Sequence, residues 1–348
     1  MRHLANPYRG TGLEHPDLSD IPFPSVEAQA PLALLARCPA AAQTPLSEMP
    51  NLAETLGIGA LWIKDERERM GLGSFKALGA AYVIACEAEA GEARGRTYVT
   101  ASAGNHGLSV AAGARVFAAR AKVFIAEQVP ESFAQRLEAE GAEVIREGAD
   151  YEASMAAAAR AAEAPGHVLL SDSSWPGYVE RPHRLMEGYL ALMAEVFEQM
   201  DETPTHIMLQ AGVGGLAGAA AAMARAHWGD APRIVVVEPE NAPALMASIE
   251  AGGPVHAPGP PSCMGRLDCK EPSLIALKGL ARDANDFVTI TEDEGQEGAD
   301  LAARFDLAST PSGAAGLAGL AAAGQWRAAL GLDADSRVLV ILSEQADV

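Results

Sequence analysis

Short apolar runs rich in valine and isoleucine alternate with helical segments along most of this chain. The runs at 97–100, 121–126 and 206–210 each lead into a turn and a helical segment, and further runs lie at 233–238 and 337–342. Such runs are typical of strands buried on both faces, and their alternation with helices predicts parallel sheets covered by helices. At 348 residues the chain is long enough for two lobes that share one site. We therefore predict an α/β fold of two lobes, each a mostly parallel twisted sheet flanked by helices.

The start of the chain and its alanine-rich tracts carry further predictions. Residues 1–45 contain many prolines and show little periodicity, so we expect an irregular arm that lies over the body of the protein. A strand at 60–64 and a helix near 77–90 follow. The alanine tracts at 153–162 and 217–226 predict helices that approach their neighbours closely, because alanine is small and a strong helix former.

Charge and cysteine content limit the partners and the compartment. Lysine and arginine number 26 against 46 acidic residues, and the resulting net charge of −20 disfavours binding to nucleic acid or to an anionic membrane. The sequence has no apolar run of membrane-spanning length and no apolar signal segment, so we expect a cytoplasmic protein. The four cysteines form no Cys-x-x-Cys pair, so we expect free thiols and no metal site.

A lysine follows a glycine-rich turn in Gly71-Leu-Gly-Ser-Phe-Lys76, at the predicted start of a helix. A lysine amine is a nucleophile when it is unprotonated, and we expect burial and the positive end of the helix dipole to lower its pKa. Lys76 is therefore a candidate Schiff-base lysine. A lysine that only solvates the first turn of a helix would give the same hexapeptide, so the assignment depends on the motifs that accompany it.

Two further motifs follow predicted strands. Thr100-Ala-Ser-Ala-Gly-Asn-His-Gly107 comes first, and Gln210-Ala-Gly-Val-Gly-Gly-Leu-Ala-Gly218 comes later. Ligands of open parallel sheets bind beyond the carboxyl ends of strands, so we expect both turns and Lys76 to meet at one crevice. The backbone amides of 212–215 can hold a phosphate at a helix N-terminus. One phosphate together with a Schiff-base lysine points to pyridoxal 5'-phosphate (PLP), an electron sink for a carbanion at the α-carbon.

These motifs resemble those of the fold-type II PLP enzymes (tryptophan synthase β-like), in particular the serine/threonine dehydratase group, and most resemble the diaminopropionate ammonia-lyases. The resemblance extends from about residue 44 to the C-terminus. It implies a large PLP-binding domain of residues 1–95 and 185–348, a small domain of residues 96–184 that closes over the active site, and a homodimer. The segments that carry it are Lys64-Asp-Glu-Arg-Glu-Arg-Met-Gly-Leu-Gly-Ser-Phe-Lys-Ala-Leu-Gly79, Ser171-Asp-Ser-Ser-Trp-Pro-Gly-Tyr178, Arg184-Leu-Met-Glu-Gly-Tyr189, Gln210-Ala-Gly-Val-Gly-Gly-Leu-Ala217 and Cys263-Met-Gly-Arg-Leu-Asp-Cys-Lys-Glu-Pro272.

The resemblance also implies roles for individual residues. Lys76 would form the Schiff base and move protons, and Asp172 would lie near the substrate for acid/base chemistry or to hold a β-amino group. A helix cap is the structural alternative for Asp172, and a turn residue is the reading we favour for the side chain of His106. The substrate carboxylate would be held by Ser102, Ala103, Gly104, Asn105 and His106. The cofactor would be held by Lys76, Phe75, Asn105 (at the ring 3-oxygen), Gly212, Val213, Gly214, Gly215 (at the phosphate) and Ser343 (at the ring nitrogen).

Two positions depart from the ammonia-lyase pattern. Ala103 stands where that pattern has an aspartate that acts as a base on the D-enantiomer, and it agrees with L-serine/threonine dehydratases. We therefore predict an L-amino acid or one specific diastereomer as substrate. Arg266 stands where the pattern has a small residue; in the pocket it would suit a second carboxylate, as a hydroxyaspartate has, and on the surface it would have no such role. Tyr178 is a further candidate for substrate specificity.

Together the motifs predict a PLP-dependent β-elimination lyase that converts a β-hydroxy or β-amino amino acid to a 2-oxo acid and ammonia. β-Replacement by a second nucleophile and racemisation, with Ser102 as the second base, use the same α-carbanion and stay open at this point. An alternative of another class is a catalytically silent homologue that binds an amino acid. The intact Lys76, Asn105 and Ser343 argue against it.

Overall fold

A computed structural model describes residues 1–102 and 104–347. The strands are β1 (Arg2–Ala5), β2 (Leu46–Glu48), β3 (Ala60–Asp65), β4 (Thr97–Ala101), β5 (Arg120–Ile125), β6 (Ala142–Arg146), β7 (His167–Leu169), β8 (His206–Gln210), β9 (Arg233–Pro239), β10 (Asp286–Ile290) and β11 (Arg337–Leu342). The α-helices are α1 (Gln29–Leu35), α2 (Pro50–Leu56), α3 (Gly79–Glu89), α4 (Asn105–Val116), α5 (Glu131–Ala139), α6 (Tyr151–Ala161), α7 (Glu180–Gln199), α8 (Gly215–Trp228), α9 (Ala244–Ala251), α10 (Leu274–Asp283), α11 (Glu292–Arg304), α12 (Ala315–Ala321) and α13 (Arg327–Leu330). Among the helices so described, none is both long enough and apolar enough to cross a membrane.

The strands form two sheets. The larger sheet has the order β1-β10-β9-β8-β11-β3-β2, in which the five inner strands are parallel and the two edge strands are antiparallel. The smaller sheet has the order β6-β5-β4-β7 and is parallel throughout. The predicted α/β fold with two mostly parallel sheets is confirmed. The four strands of the smaller sheet lie within residues 97–169, inside the range expected for a small domain, whereas the domain boundaries themselves stay a prediction.

The central strand β11 shows why the strands read as continuous apolar runs. Leu339 and Ile341 pack into the core on one face of the larger sheet, and Val338, Val340 and Leu342 pack into the core on the other face. All five side chains are fully buried. Because successive side chains of a strand point to opposite faces, a run without polar residues requires helices on both sides of the sheet.

Both alanine tracts lie in helices, as predicted. The second tract belongs to α8, whose buried side packs against α7 and α10. A Cβ atom on Gly218 would lie 3.2 Å from the Met186 side chain and 3.3 Å from the Cα atom of Ala276. Small residues in the first turns of α8 therefore let α7 and α10 pack closely against it.

The expectation of an irregular arm at residues 1–45 is wrong in part. Arg2–Ala5 is an edge strand of the larger sheet and pairs antiparallel with β10, and Gln29–Leu35 is helical. Asn6 secures the end of β1, because its side-chain amide donates to the carbonyl oxygens of Ala281 and Ala284 at 2.8 and 2.7 Å. A four-residue strand whose partner lies about 280 residues away has no local periodicity that could reveal it.

Candidate active site

The turns after the parallel strands surround one cavity of about 400 Å³. Lys76 follows β3, Asn105 follows β4, the turn 212–215 follows β8 and Ser343 follows β11, and all of them line this cavity. Carboxyl ends of neighbouring parallel strands lie at the same edge of a sheet, which is why segments so distant in sequence meet here. The structure therefore brings the predicted cofactor-binding residues to one place.

Lys76 lies in a 3₁₀ turn, Phe75–Leu78, that leads into α3. The Ser74 hydroxyl caps this turn and accepts a hydrogen bond from the Lys76 backbone amide at 3.3 Å. The Phe75 amide donates to the carbonyl oxygen of Ser343 at 3.0 Å. This hydrogen bond thus fixes the turn that carries Lys76 to the segment after β11.

A buried charge network anchors the segment before Lys76. The Arg69 guanidinium donates to the carboxylates of Glu66 and Glu195, with every contact at 2.7 Å. Lys64 donates to Glu195 at 2.7 Å. These four side chains are almost completely buried, so two cations and two anions neutralise each other inside the protein. The cluster joins β3 and the following turn to α7.

The Lys76 ammonium group forms an ion pair with the carboxylate of Asp172 in the cavity. Burial by itself would lower the pKa of Lys76, but the Asp172 carboxylate outweighs burial and raises that pKa above its ordinary value. Burial would likewise raise the pKa of Asp172, but Lys76 holds it well below its usual range. The expected lowering of the Lys76 pKa is therefore wrong, because a counter-ion 96 residues away in the chain raises that pKa.

Two glycines of the turn 212–215, Gly212 and Gly214, lie too close to their neighbours for a side chain. Gly214 has a φ angle of +96°, and a Cβ atom there would lie 3.0 Å from the side chains of Ala276 and Leu245. A Cβ atom on Gly212 would lie 3.0 Å from the Cys269 sulfur. The turn opens into α8, whose first backbone N–H groups have no partner within the helix. This arrangement can hold one phosphate.

We expect Gly214→Ala to weaken binding of a phosphate ligand and to lower the free energy of unfolding by about 1–3 kcal/mol, because the alanine adopts a left-handed backbone and contacts two side chains. Gly57→Ala is the matched control: Gly57 has a φ angle of +63° with no atom within 4 Å of a new Cβ. Urea unfolding measures both variants. An equal loss of stability in the two would contradict the contacts assigned to Gly214.

Asn105 begins α4, and its side-chain amide donates to the carboxylate of Glu344. Glu344 directly follows Ser343, and both side chains are buried and line the cavity. Ser343 thus lines the cavity, and its contact with the ring nitrogen stays a prediction. Glu344 was missed, although its position directly after a buried strand is the same signal that identified Ser343.

The turn between β4 and α4 contributes further residues to the cavity. The Gly104 amide donates to the Ser102 hydroxyl at 3.2 Å, and both residues line the cavity. Ala103 lies outside the described residues. His106 donates from Nε2 to the carbonyl oxygen of Leu170 at 2.8 Å, which ties α4 to the segment that carries Asp172. Burial lowers the pKa of His106, which favours its neutral form.

The two specificity candidates differ in location. Arg266 lines the cavity, but its guanidinium is bound by both oxygens of Asp347 and lies 3.3 Å from Glu344. Tyr178 is not among the residues described as lining the cavity. Its hydroxyl donates to the carbonyl oxygen of Leu169 and accepts from the Ser171 amide, each at 3.0 Å. Tyr178 therefore positions the segment before Asp172.

Other lining residues were not assigned from the sequence, although one of them, Cys269, lies in a segment that carries the resemblance. Phe133 from α5 and Tyr151 from α6 extend the cavity on the side of the smaller sheet, and Cys269 lies behind the glycine turn. Phe75, which was predicted, lines the cavity with its ring 4.9 Å from that of Tyr189. Aromatic residues at helix starts and inside helices are ordinary core or surface positions in a sequence, so no signal marked them.

Comparison with known protein families decides the identity of this fold. The family model described as pyridoxal-phosphate dependent enzyme matches residues 38–344. The chain belongs to this family. It is a fold-type II member, because the architecture and motifs agree with those of the relatives that follow.

This PLP-dependent enzyme is similar to several ammonia-lyases. The diaminopropionate ammonia-lyase of Salmonella typhimurium is 32% identical over 291 residues, covering 74% of this chain and 71% of that protein. The L-threonine ammonia-lyase of Thermotoga maritima is 27% identical over 252 residues, covering 72% of this chain and 60% of that protein. The structure of the Escherichia coli diaminopropionate ammonia-lyase, solved in complex with an aminoacrylate-PLP azomethine reaction intermediate, has a TM-score of 0.89 at 27% identity and covers 99% of this chain and 93% of that one.

The cavity of this PLP-dependent enzyme fits the family cofactor. It contains a primary amine on Lys76, which can form a Schiff base, and a glycine turn that a single Cβ atom would fill. The turn lies at a helix N-terminus, which suits the phosphate of PLP. Polar groups of Asn105 and Ser343 also line the cavity and can contact a polar ring.

Proposed function

We propose that this enzyme eliminates the β-substituent of an amino acid and releases a 2-oxo acid and ammonia, with Lys76 as the base that takes the α-proton. The observation that carries this proposal is the contact between the Lys76 amine and Asp172, in a cavity that also contains the glycine turn. The names of the relatives support the type of reaction, because diaminopropionate and L-threonine ammonia-lyases release ammonia from amino acids.

Different residues of the cavity would bind different parts of the cofactor. We assign the Schiff base to Lys76, the phosphate to the amides of 212–215, the ring 3-oxygen to Asn105 and the ring nitrogen to Ser343. PLP, when bound, draws the electron pair of the α-carbon into its ring. A serine hydroxyl is neutral, so Ser343 does not force a proton onto the ring nitrogen as an aspartate would.

The proton transfers follow from the placement of Lys76. With PLP bound and the substrate amine joined to it, the Lys76 amine would be free to accept the α-proton. The bond from the β-carbon to its substituent breaks, the substituent leaves with the electron pair, and a double bond forms between the α- and β-carbons. Water then hydrolyses the unsaturated amine to a 2-oxo acid and ammonia. Asp172, beside Lys76, is an ionised carboxylate, so it would hold a cationic β-ammonium group until that group leaves as neutral ammonia.

The charges in the cavity favour a β-amino leaving group. Arg266 is already paired with Asp347, so it offers no free charge to a second substrate carboxylate. Asp172 loses its partner when Lys76 enters the Schiff base, and the remaining carboxylate suits a β-ammonium group. We therefore propose a 2,3-diamino acid as the substrate. The L-enantiomer follows from Ala103, which lacks the carboxylate that the ammonia-lyase pattern uses on the D-enantiomer.

We expect Asp172→Asn to let the protein take up PLP at lower pH. Asp172 stabilises the protonated Lys76, so its loss lowers the pKa of Lys76 and makes the neutral amine available at lower pH. The pH of half-maximal uptake rate should fall by about one to three units, as loss of a contact ion pair predicts. Absorbance after mixing apoprotein with PLP measures this rate. Asp268→Asn is the control, because Asp268 lines the same cavity but pairs with Lys270. If Asp172→Asn leaves the pH dependence of PLP uptake unchanged, the ion pair is contradicted.

A substrate panel tests the proposed function. Purified protein loaded with PLP is mixed with L- and D-2,3-diaminopropionate, L- and D-serine, L-threonine and 3-hydroxyaspartate, and 2-oxo acid, ammonia and the PLP absorption spectrum are followed. We expect L-diaminopropionate to give two molecules of ammonia for each 2-oxo acid. Turnover of hydroxy-amino acids alone would refute the amino leaving group but not β-elimination. A thioether formed when a thiol is added would indicate β-replacement, and no reaction with any amino acid would refute the function.

We further propose that the enzyme is a cytoplasmic homodimer. The four cysteines are free thiols, which fits a reducing compartment. The dimer is supported by the family resemblance alone. Light scattering of the purified protein at several concentrations tests it, and a mass of one chain of 36.1 kDa would refute it.

A further inference from the structure

Glu344 is a buried carboxylate at the cavity for which the reaction outlined above has no use. Glu344 is only 4% exposed. Its backbone pairs with the backbone of Ser74, next to the turn that carries Lys76. The Ser309 hydroxyl donates to the Glu344 carbonyl oxygen at 2.6 Å, which fixes the backbone from the other side. The carboxylate is therefore held in a defined place, close to the residues assigned to the cofactor ring.

The two oxygens of this carboxylate have different partners. Oε1 accepts a hydrogen bond from the Thr310 hydroxyl and lies 3.3 Å from Nε of Arg266. Oε2 accepts a hydrogen bond from Nδ2 of Asn105. Burial raises the pKa of Glu344 above its ordinary value, and Arg266 and Thr310 offset this effect only in part. The guanidinium beside Oε1 and the amide N–H at Oε2 both suit the ionised carboxylate. An ionised carboxylate only accepts hydrogen bonds, so it fixes which end of the Asn105 amide faces it.

We propose that Glu344 is a positioning residue that orients the Asn105 amide so that its second N–H points to the ring 3-oxygen of PLP. An amide group has an NH₂ end and an oxygen end of almost the same size, and a neighbouring acceptor decides between them. With the NH₂ group against Glu344, one N–H is used by the carboxylate and the other stays available to the cofactor. This inference rests on the proposed function, since it requires that Asn105 contacts PLP.

Substitution by glutamine tests this role sharply. Arg266 is a cation whose Nε lies 3.3 Å from Oε1, and a cation attracts an amide oxygen and repels an amide NH₂ group. In Glu344→Gln the new amide should therefore turn its oxygen to Arg266 and its NH₂ group to Asn105. Asn105 must then present its oxygen to that NH₂ group and can no longer give the same N–H to the ring. We expect the dissociation constant of PLP to rise about tenfold, as loss of one well-placed hydrogen bond predicts. We also expect the ratio of the two absorption bands of bound PLP to change, because a donor at the 3-oxygen stabilises its ionised form.

A double-mutant cycle separates positioning from a general structural role. PLP binding and the absorption spectrum are measured for the wild type, Glu344→Gln, Asn105→Ala and the double variant. If Glu344 acts through Asn105, the double variant binds PLP within threefold of Asn105→Ala. If the double variant binds PLP more than threefold more weakly than Asn105→Ala, the proposal is overturned. It is also overturned if Glu344→Gln binds PLP as tightly as the wild type.

Asp347→Asn is the matched control. It also replaces a carboxylate that binds Arg266 with an amide, but Asp347 does not contact Asn105. We expect it to leave both readouts unchanged, and a change equal to that of Glu344→Gln overturns the role of Asn105. Thermal unfolding of each variant confirms that it is folded. If the wild type itself takes up no PLP, the proposed function fails; if the wild type takes up PLP and Glu344→Gln behaves like it, only the role of Glu344 fails.

Discussion

Lys76→Ala is expected to lower kcat for the elimination by about a thousandfold or more, because it removes the base that takes the α-proton as well as the anchor of the cofactor. The Lys76 amine lies in the cavity beside Asp172, so the substitution also leaves the Asp172 carboxylate without its counter-ion. Release of 2-oxo acid measures the activity. Reduction of the loaded protein with borohydride, followed by mass spectrometry of its peptides, should place PLP on the peptide that contains Lys76.

Lys122→Ala is the control for this experiment. Lys122 lies on β5 and pairs at 3.4 Å with the exposed Glu143, and it is not among the described residues that line the cavity. Its loss should leave activity and PLP attachment unchanged. Activity in Lys76→Ala above a tenth of the wild-type value, or borohydride attachment at another lysine, would refute the assignment.

Arg69→Met is expected to lower the free energy of unfolding by about 3–5 kcal/mol, the cost of removing one partner from a buried ion network. Methionine fills much of the space of the arginine, but the remaining cation, Lys64, contacts Glu195 and not Glu66. One buried carboxylate is left without a counter-ion. Urea unfolding, with the denaturant dependence fitted separately for each variant, measures the change.

Two further variants make this result specific to the buried network. Arg160→Met removes an ion pair with Glu147 whose side chains are 64% and 51% exposed, so it should cost less than about 1 kcal/mol. Arg69→Met combined with Glu66→Leu removes the carboxylate that would lack a counter-ion, so it should be more stable than Arg69→Met alone. A double variant that is less stable would contradict the electrostatic explanation.

The strand–helix alternation and the three turns were sufficient to predict the fold and to place Lys76 and Asn105 at one cavity, whereas Ser343 was assigned through the family resemblance. Both predictions rest on local signals: apolar runs, glycines that allow a tight turn, and the rule that ligands bind beyond strand ends. The same signals could not show that Asp172 raises the pKa of Lys76. That effect arises from a side chain far along the chain, which local sequence does not reveal.

The pairing of polar side chains was also hidden from the sequence. Arg266 lies in a segment that resembles the ammonia-lyases, and its charge would suit a substrate carboxylate. Asp347, however, already neutralises that charge. Tyr178 belongs to a segment that resembles the ammonia-lyases, yet its hydroxyl binds backbone groups. In both cases the residue type was informative about chemistry, whereas its partner was set by tertiary packing.

The place of β11 in the larger sheet has a consequence for how the protein folds. This strand lies between β3 and β8, although it comes more than a hundred residues after β8 in the chain. The smaller sheet uses strands from one local stretch and can form early, whereas the larger sheet stays in two parts with open edges until β11 inserts. Open edges pair readily with other chains, so refolding yield should fall as protein concentration rises.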